Sequence, residues 1–308
     1  MTLRIGVDVG GTKILGVAVD ETGRETASVR RPTGWGADAV ADGIAAVIDE
    51  LAVPAGSVSV GIGVPGQIVP GSGVVEHALN LGIERSDLAA AVAGRTGIRP
   101  AVDNDVRCAA VGARALLPGL ESLAYLNLGT GIAAGIVDAT GPRRGTRGAA
   151  GEIGHVSIDP AGPACRCGQR GCIEALAGGG AVAQRWGRPA DLPVRDVFDA
   201  ADGGDVRAAE LRADLVRGVA GAVQLLVLTT DVDAVVLGGG VAGLGDRLLE
   251  PVRTALAASA AASPFLRSLR LAGRVVLVPQ GVAVGALGAA LTPDAVPHDL
   301  VTRRAAAG

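Results

Sequence analysis

Residues 151–178 read GEIGHVSIDPAGPACRCGQRGCIEALAG, and the reading of this stretch decides how the rest of the chain is understood. It holds His155 and three of the four cysteines, Cys165, Cys167 and Cys172. The spacing H-x9-C-x-C-x4-C supplies one imidazole and three thiolates, a complete ligand set for a tetrahedral Zn²⁺. Pro160, Gly162, Pro163, Gly168 and Gly171 predict turns rather than helix or strand, which suits a loop stapled by a metal. Four protein ligands leave no open coordination position, so the zinc would be structural. Free buried cysteines or a local disulfide form the competing reading. A segment this rich in Gly and Pro offers no apolar face to pack, and a disulfide does not suit a chain without an export signal.

Glu152 lies three residues before the histidine, and Glu174 two residues after the last cysteine. Closing the loop would bring both carboxylates near His155. Ionised carboxylates accept hydrogen bonds and donate none, so a convergent pair suits a ligand rich in hydroxyl groups, as a sugar is. Two solvated surface glutamates would give the same letters, and this stretch does not choose between the two.

Outward from the loop, the 308-residue chain is long enough for two domains. A net charge of −3 leaves no electrostatic bias toward nucleic acid or an anionic membrane. Met1–Gly10 carries neither a basic n-region nor a long apolar stretch, and no apolar run reaches the ~18 residues of a membrane span. The expectation is a cytoplasmic protein whose thiols stay reduced. Lys13 is the only lysine among 28 basic residues, which hints at a local requirement inside a glycine turn. Aromatic residues make up 2% of the chain, so a sugar would be held by polar groups rather than a stacking platform.

The chain opens with a meander predicted at 3–9, 14–19 and 24–30, with Gly10, Gly11, Thr12 and Lys13 in the first turn. Exposed backbone N–H groups there, with the Thr12 hydroxyl and Lys13, can cradle phosphate oxygens. Asp8, an acid on an apolar strand just before the turn, suits Mg²⁺ held through water. The spacing predicts helices over 37–51 and 88–96, strands over 58–64 and 99–102, and a loop over 67–75. Asn104 or Asp105 then caps a helix running to Leu116. Strands at 123–128 and 132–137 flank Gly129, Thr130 and Gly131, repeating the opening plan and suggesting a duplicated architecture whose two turns face each other. A long amphipathic helix over 206–228 precedes a strand at 233–237. This strand opens into Gly238, Gly239 and Gly240, where a planar ligand could approach the backbone closely, and a helix is expected over 244–257. A last strand lies at 275–278 and a final Ala/Gly-rich helix at 282–291. The tail from Thr292 carries no pattern of a packed element.

Together these pieces resemble the ROK family (repressors, open reading frames and kinases) of the sugar kinase/actin/heat-shock ATPase fold. The resemblance rests on DVGGTK at 8–13, VPG at 64–66, NLG at 80–82, ND at 104–105, LGTGIAAGI at 128–136, GEIGH with CRCGQRGCIEAL at 151–176, and VLGGGV at 236–241. It implies an α/β fold of the two-domain, actin-like (ribonuclease H-like) kind with an interdomain cleft and a structural zinc knot. The domains would be 1–103 and 104–308, the zinc loop lying in the second and the final helix packing back on the first. With no helix-turn-helix segment before the first strand, the chain looks like a kinase member rather than a repressor.

The activity implied is ATP-dependent phosphorylation of glucose at O6, with Mg²⁺ as cofactor and a homodimer or homotetramer as the assembly. Another hexose, such as mannose, fructose or N-acetylglucosamine, or a non-catalytic sugar sensor, is the alternative. By the resemblance, Asp8, Gly10–Lys13 and Gly129–Gly131 would flank the ATP phosphates and Gly238–Gly240 would face the adenosine. Gly66, Asn80, Asn104, Asp105, Glu152, His155 and Glu174 would hold the hexose, Asp105 acting as base. Phosphoryl transfer is mainly positioning and charge neutralisation, so an ordinary aspartate suffices. The chain departs from the family where Val106-Arg107-Cys108 follows the ND pair in place of small residues and a second Asn.

Overall fold

The computed structural model describes residues 2–52, 57–292 and 298–299. In chain order, β1 (Thr2–Val9), β2 (Lys13–Val19) and β3 (Glu25–Pro32) form a meander, followed by α1 (Ala37–Leu51) and β4 (Ser57–Val64). Three short strands, β5 (Gln67–Ile68), β6 (Val74–Ala78) and β7 (Ile83–Asp87), precede α2 (Leu88–Thr96), β8 (Ala101–Asn104) and α3 (Asp105–Leu116). Next come β9 (Leu123–Leu128), β10 (Ile132–Asp138) and β11 (Gly141–Pro142). Past the cysteine loop lie α4 (Ile173–Ala177), α5 (Gly179–Trp186), α6 (Pro193–Asp202) and α7 (Val206–Thr230). The chain continues through β12 (Ala234–Gly238), α8 (Asp246–Ala260), α9 (Pro264–Ser268), β13 (Val275–Leu277), α10 (Val284–Ala290) and β14 (His298–Asp299). Apart from 298–299, the tail after Thr292 lies outside the described residues.

Two compact units result. One comprises Met1–Gly119, Gly135–Ala150 and Gln280–Gly308, the other Leu120–Ala134 and Gly151–Pro279. In the first, the sheet runs β3-β2-β1-β4, with β8 and β14 both pairing along β4. The β1–β2 and β2–β3 pairs are antiparallel, whereas β1–β4 and β4–β8 are parallel. In the second, β10-β9-β12-β13 repeats that order, with β9–β12 and β12–β13 parallel. The residues of β10 beyond Ala134 belong to the first unit, where they pair with β11. The duplicated plan is therefore one of topology: a hairpin first, then parallel strands added on the side of the first strand.

A single cut at 103/104 does not describe this division. The helix that starts at Asp105 stays with the first unit, because α10 returns from the far end of the chain to pack on α3, β1 and β4. Glycine makes that close approach feasible. A Cβ at Gly61 would overlap the Ala289 carbonyl oxygen, and one at Gly288 would overlap that of Cys108. On the other side of the sheet, Val40, Ile44, Val47 and Ile48 of α1 join Ile5, Val7 and Val9 in the core. Helical spacing thus meets strand alternation in one layer. In the second unit α7 buries Leu215, Val219 and Val223 and packs against α4, α6 and α8.

The expected loop over 67–75 is instead the start of a three-stranded antiparallel sheet, β5-β6-β7. Its strands are two to five residues long. They are broken by Pro70, Gly71 and Gly73, so no run long enough to show alternation exists. A 3-10 turn over Gly240–Leu244 likewise takes the start of the helix expected from 244, and α8 begins at Asp246.

Candidate functional site

In the first unit the chemistry-bearing residues gather at the ends of parallel strands. Asn104 is the N-cap of α3, its Oδ1 accepting from Val106 N (3.0 Å) and Arg107 N (3.3 Å). Its amide nitrogen donates to the Gly66 carbonyl at 3.2 Å, which ties the 64–66 turn to the cap. Asp105 is the first helical residue, half-buried, with Oδ1 accepting from its neighbour's amide at 2.9 Å. Asp8 ends the apolar run of β1, where a Cβ on Gly285 would lie 2.9 Å from its carboxylate. Burial, then the negative Asp105, pushes the Asp8 carboxyl up to about 7, against the pull of Lys13. A buried carboxyl with a second acid acting on it is a donor set that a divalent cation relieves, and Mg²⁺ fits it.

The turn after Asp8 is braced rather than free. Gly10 N donates to Lys13 O (2.9 Å), and Thr33 Oγ1 donates to Gly10 O (2.7 Å). Gly11, Thr12 and Lys13 are exposed. Asn80 is exposed as well, and its amide nitrogen would lie 3.5 Å from a Cβ on Gly11, so NLG and GGT come together.

In the second unit the cysteine loop closes as the spacing requires. His155, Cys165, Cys167 and Cys172 each offer a ligand atom, all within 4.8 Å of one another. The Cys167 and Cys172 sulfurs are 3.7 Å apart, too far for a disulfide of ~2 Å. That spacing is near the ~3.8 Å edge of a tetrahedron with Zn–S of ~2.3 Å. The imidazole turns Nδ1 toward Cys165, at 3.9 Å. Amides of Gln169 hold the exposed Cys167 thiol down to about 6, while burial pushes Cys172 up to about 12. A cation would reverse the second and use the first. The set fits zinc in number, softness and spacing.

The loop is also pinned to a strand. Gly151 O accepts from Ala134 N of β10 at 2.8 Å, and a Cβ at Gly154 would overlap Ile132 O. Glu152, exposed, and His155 share one 3-10 turn. Glu174, in the first turn of α4, spends Oε2 on Ile132 N at 2.9 Å. That carboxylate therefore helps hold the 129–131 turn as well as standing beside the knot.

Reasoning from sequence missed one glycine cluster. Gly179 N and Gly180 N, opening α5, donate to Gly129 O and Thr130 O, both at 2.9 Å. Gly239, at φ +82°, lies where a Cβ would come 2.6 Å from Asn127 Oδ1. Inside one unit, 178–180 is thus bonded to 129–131, and Gly129 and Gly239 both lie against Asn127. The run Gly178-Gly179-Gly180 was the available signal.

The ROK family model matches residues 4–293, nearly the whole of this constellation. The chain belongs to the ROK family. Among its relatives, the glucokinase of Streptomyces coelicolor is 32% identical over 274 residues, covering 82% of this chain and 86% of that one. The N-acetylmannosamine kinase of Escherichia coli O1:K1 / APEC is 32% identical over 263 residues, covering 84% and 89%. A solved ROK family glucokinase from Streptomyces griseus, in complex with glucose and AMPPNP, superposes with a TM-score of 0.74 at 29% identity, covering 94% of this chain and 98% of that one. The mixed α/β architecture is that of the actin-like ROK sugar kinases. No helix among the described residues is long and apolar enough to cross a membrane.

Proposed function

We propose that this ROK chain is an ATP-dependent hexose kinase that phosphorylates glucose at O6. The observation that carries the reading is the Asn104–Asp105 pair at the start of α3, bound to the Gly66 carbonyl and electrostatically coupled to Asp8. Asp105 is fixed at a helix start, so its carboxylate is positioned before substrate arrives, and it takes the proton of the sugar hydroxyl as the O–P bond forms. Asn104 and Gly66 offer an amide and a backbone turn for sugar hydroxyls. Within the second unit, Glu152 and Glu174 are acceptors suited to sugar hydroxyls, and His155, with Nδ1 turned to the thiolates, keeps Nε2 as the donor that glutamates cannot be. Zinc would act by holding that ring and the two carboxylates in place, without touching the reacting atoms.

Gly10–Lys13 offers backbone N–H groups, the Thr12 hydroxyl and the Lys13 ammonium to the β/γ-phosphates. Within the second unit, Gly129–Gly131 is a turn of the same kind, and Gly238–Gly240 leaves room for an adenosine. Mg²⁺, when bound, supplies charge neutralisation on the transferring phosphoryl group, and Asp8 is the acid placed to hold its water shell. Glucose is preferred here over N-acetylmannosamine because glucokinases and an N-acetylmannosamine kinase match equally well, while the solved glucokinase relative carries glucose itself. The reading is tested by coupled ADP release from the purified chain across glucose, mannose, fructose, N-acetylglucosamine and N-acetylmannosamine, with Mg-ATP and with polyphosphate. Glucose with ATP should give the highest kcat/KM. A higher value for N-acetylmannosamine would overturn the sugar assignment, and no turnover on any sugar would overturn the kinase.

A further inference from the structure

In the first unit the parallel strands β1, β4 and β8 end at Val9, Val64 and Asn104, and open α/β sheets take their ligands at the carboxyl ends of such strands. Past β3 the chain comes back to this edge. Thr33 N donates to Thr12 O at 3.2 Å, and Thr33 Oγ1 to Gly10 O at 2.7 Å. Two residues on, Trp35 lies against the NLG turn. Gly36 N donates to Leu81 O at 2.8 Å, and a Cβ on Gly82 would come 2.6 Å from Cε2, 2.7 Å from Nε1 and 3.1 Å from Cδ2 of the indole. Only glycine leaves the ring room there, and Gly82, at φ +70°, backs on to one of its faces. The opposite face is open: Trp35 is 73% exposed, whereas the other tryptophan, Trp186, is 1% exposed. On the same 3-10 turn stand Leu79, 67% exposed, and Asn80, whose amide nitrogen reaches toward Gly11. Aromatic residues are scarce in this chain, yet one of its two tryptophans is spent in water beside the candidate sugar and phosphate residues. An apolar shelf in that place is a contact surface for a ligand.

We propose that Trp35 is a stacking platform for the hexose. Its open face receives the C–H groups of one face of the pyranose ring, while Asn80 bonds hydroxyls at the ring's edge. The inference rests on the sugar-kinase reading and adds an apolar contact to a site otherwise built of polar groups. A pyranose with equatorial hydroxyls, as in glucose, turns those hydroxyls outward and leaves C–H groups on its two faces. The negative face of an indole attracts them, and the ring supplies a large apolar area at little cost in side-chain freedom. Because Gly82 and the Gly36–Leu81 hydrogen bond hold Trp35 in position, the platform exists before the sugar arrives.

The test follows tryptophan emission and glucose calorimetry on the full chain. Trp186 is buried with Nε1 bonded to Asp196 Oδ2 at 2.6 Å, so it gives a constant background. Saturating glucose should move the wild-type emission to shorter wavelength, and the change should vanish in Trp35→Leu. The glucose dissociation constant should rise about fivefold to tenfold in Trp35→Leu and roughly twofold in Trp35→Phe, which keeps a smaller ring. Turnover at saturating glucose should stay within about twofold of wild type, since the platform holds the ring and not the reacting oxygen. Trp35 is exposed, so both variants should fold, and the thermal midpoint checks that they do. Unchanged glucose affinity in Trp35→Leu overturns the platform; if light scattering then shows a smaller oligomer, Trp35 is a contact between copies instead. An emission change with AMPPNP and none with glucose overturns the sugar as its ligand. The titrations are repeated with whichever hexose gives the fastest ADP release. A wrong sugar assignment then appears as a change of hexose with the Trp35 signal kept, and a wrong platform as hexose binding without that signal. A wild-type chain that binds no hexose overturns both.

Discussion

Asp105 and Asp8 show how one residue type takes two characters from its surroundings. Asp105 is the half-buried first residue of a helix, whereas Asp8 sits near the end of a strand, where burial and the negative Asp105 push its carboxyl up. Replacing Asp105 by Asn keeps shape and hydrogen-bonding capacity but removes the proton acceptor. Turnover should fall ~10²-fold or more with much less change in glucose affinity, as steady-state kinetics and calorimetry would report. Near-normal turnover would remove Asp105 from the role of base. For Asp8 the consequence is one of stability. Its folded-state pKa of about 7 lies above the unfolded value of 3.8, so between these pH values the folded chain binds more protons than the unfolded one. Stability of the metal-free protein therefore falls as pH rises through that window. Asp8→Asn lacks the penalty, and should be more stable than the wild type by roughly 2–4 kcal/mol at pH 8 and indistinguishable from it at pH 4. Urea unfolding at the two pH values measures this, and a pH-independent difference would argue against the shift.

At the scale of an element, the cysteine loop is a segment whose shape comes from its side chains rather than from its backbone pattern. Among its described hydrogen bonds, those from the 164–172 turns close the loop on itself. Gly171, at φ +64°, sits where a Cβ would overlap Asp159 O. Little apolar surface is available to hold such a loop, so its order depends on the four converging ligands. The purified protein should carry one zinc per chain. Cys167→Ala should lose the metal, lower the thermal midpoint and weaken glucose binding, because Glu152 and Glu174 flank the knot. Elemental analysis of an active preparation decides the first point, and zinc-free protein with full sugar affinity would defeat the second. The chain from Gly151 to Cys172 was legible beforehand because each ligand and each turn glycine is local in sequence. The β5-β6-β7 sheet was not, since strands of two to five residues carry too few side chains to display alternation and are defined only by the partners they pair with.

Across the whole molecule, the decisive contact is between segments at opposite ends of the chain. Helix α10 lies on β1, β4 and α3 at a spacing only glycine permits, through Gly6, Gly61, Gly112 and Gly288. Gly61→Ala would drive a methyl group into the Ala289 carbonyl. It should cost ~2–3 kcal/mol and lower the thermal midpoint by roughly 5–10 °C, while leaving zinc content unchanged. An unaltered midpoint would mean that α10 can retreat at no cost. The sequence by itself determined the strand–turn–strand hairpins, the ligand set of the cysteine loop and the glycine turns, because all are written in spacings of a few residues. It also carried the family, through GEIGH and the cysteine spacing. Only the tertiary structure decided that α3 and α10 belong to the first unit, that Gly178–Gly180 joins the other glycine turns, and that Glu174 braces the 129–131 turn. The same holds for the pairing of Arg107 and Arg144 with the one Asp103 carboxylate. These depend on which distant segments the packed sheet brings together, and contacts across 40 to 280 residues leave no periodic trace in the chain that makes them.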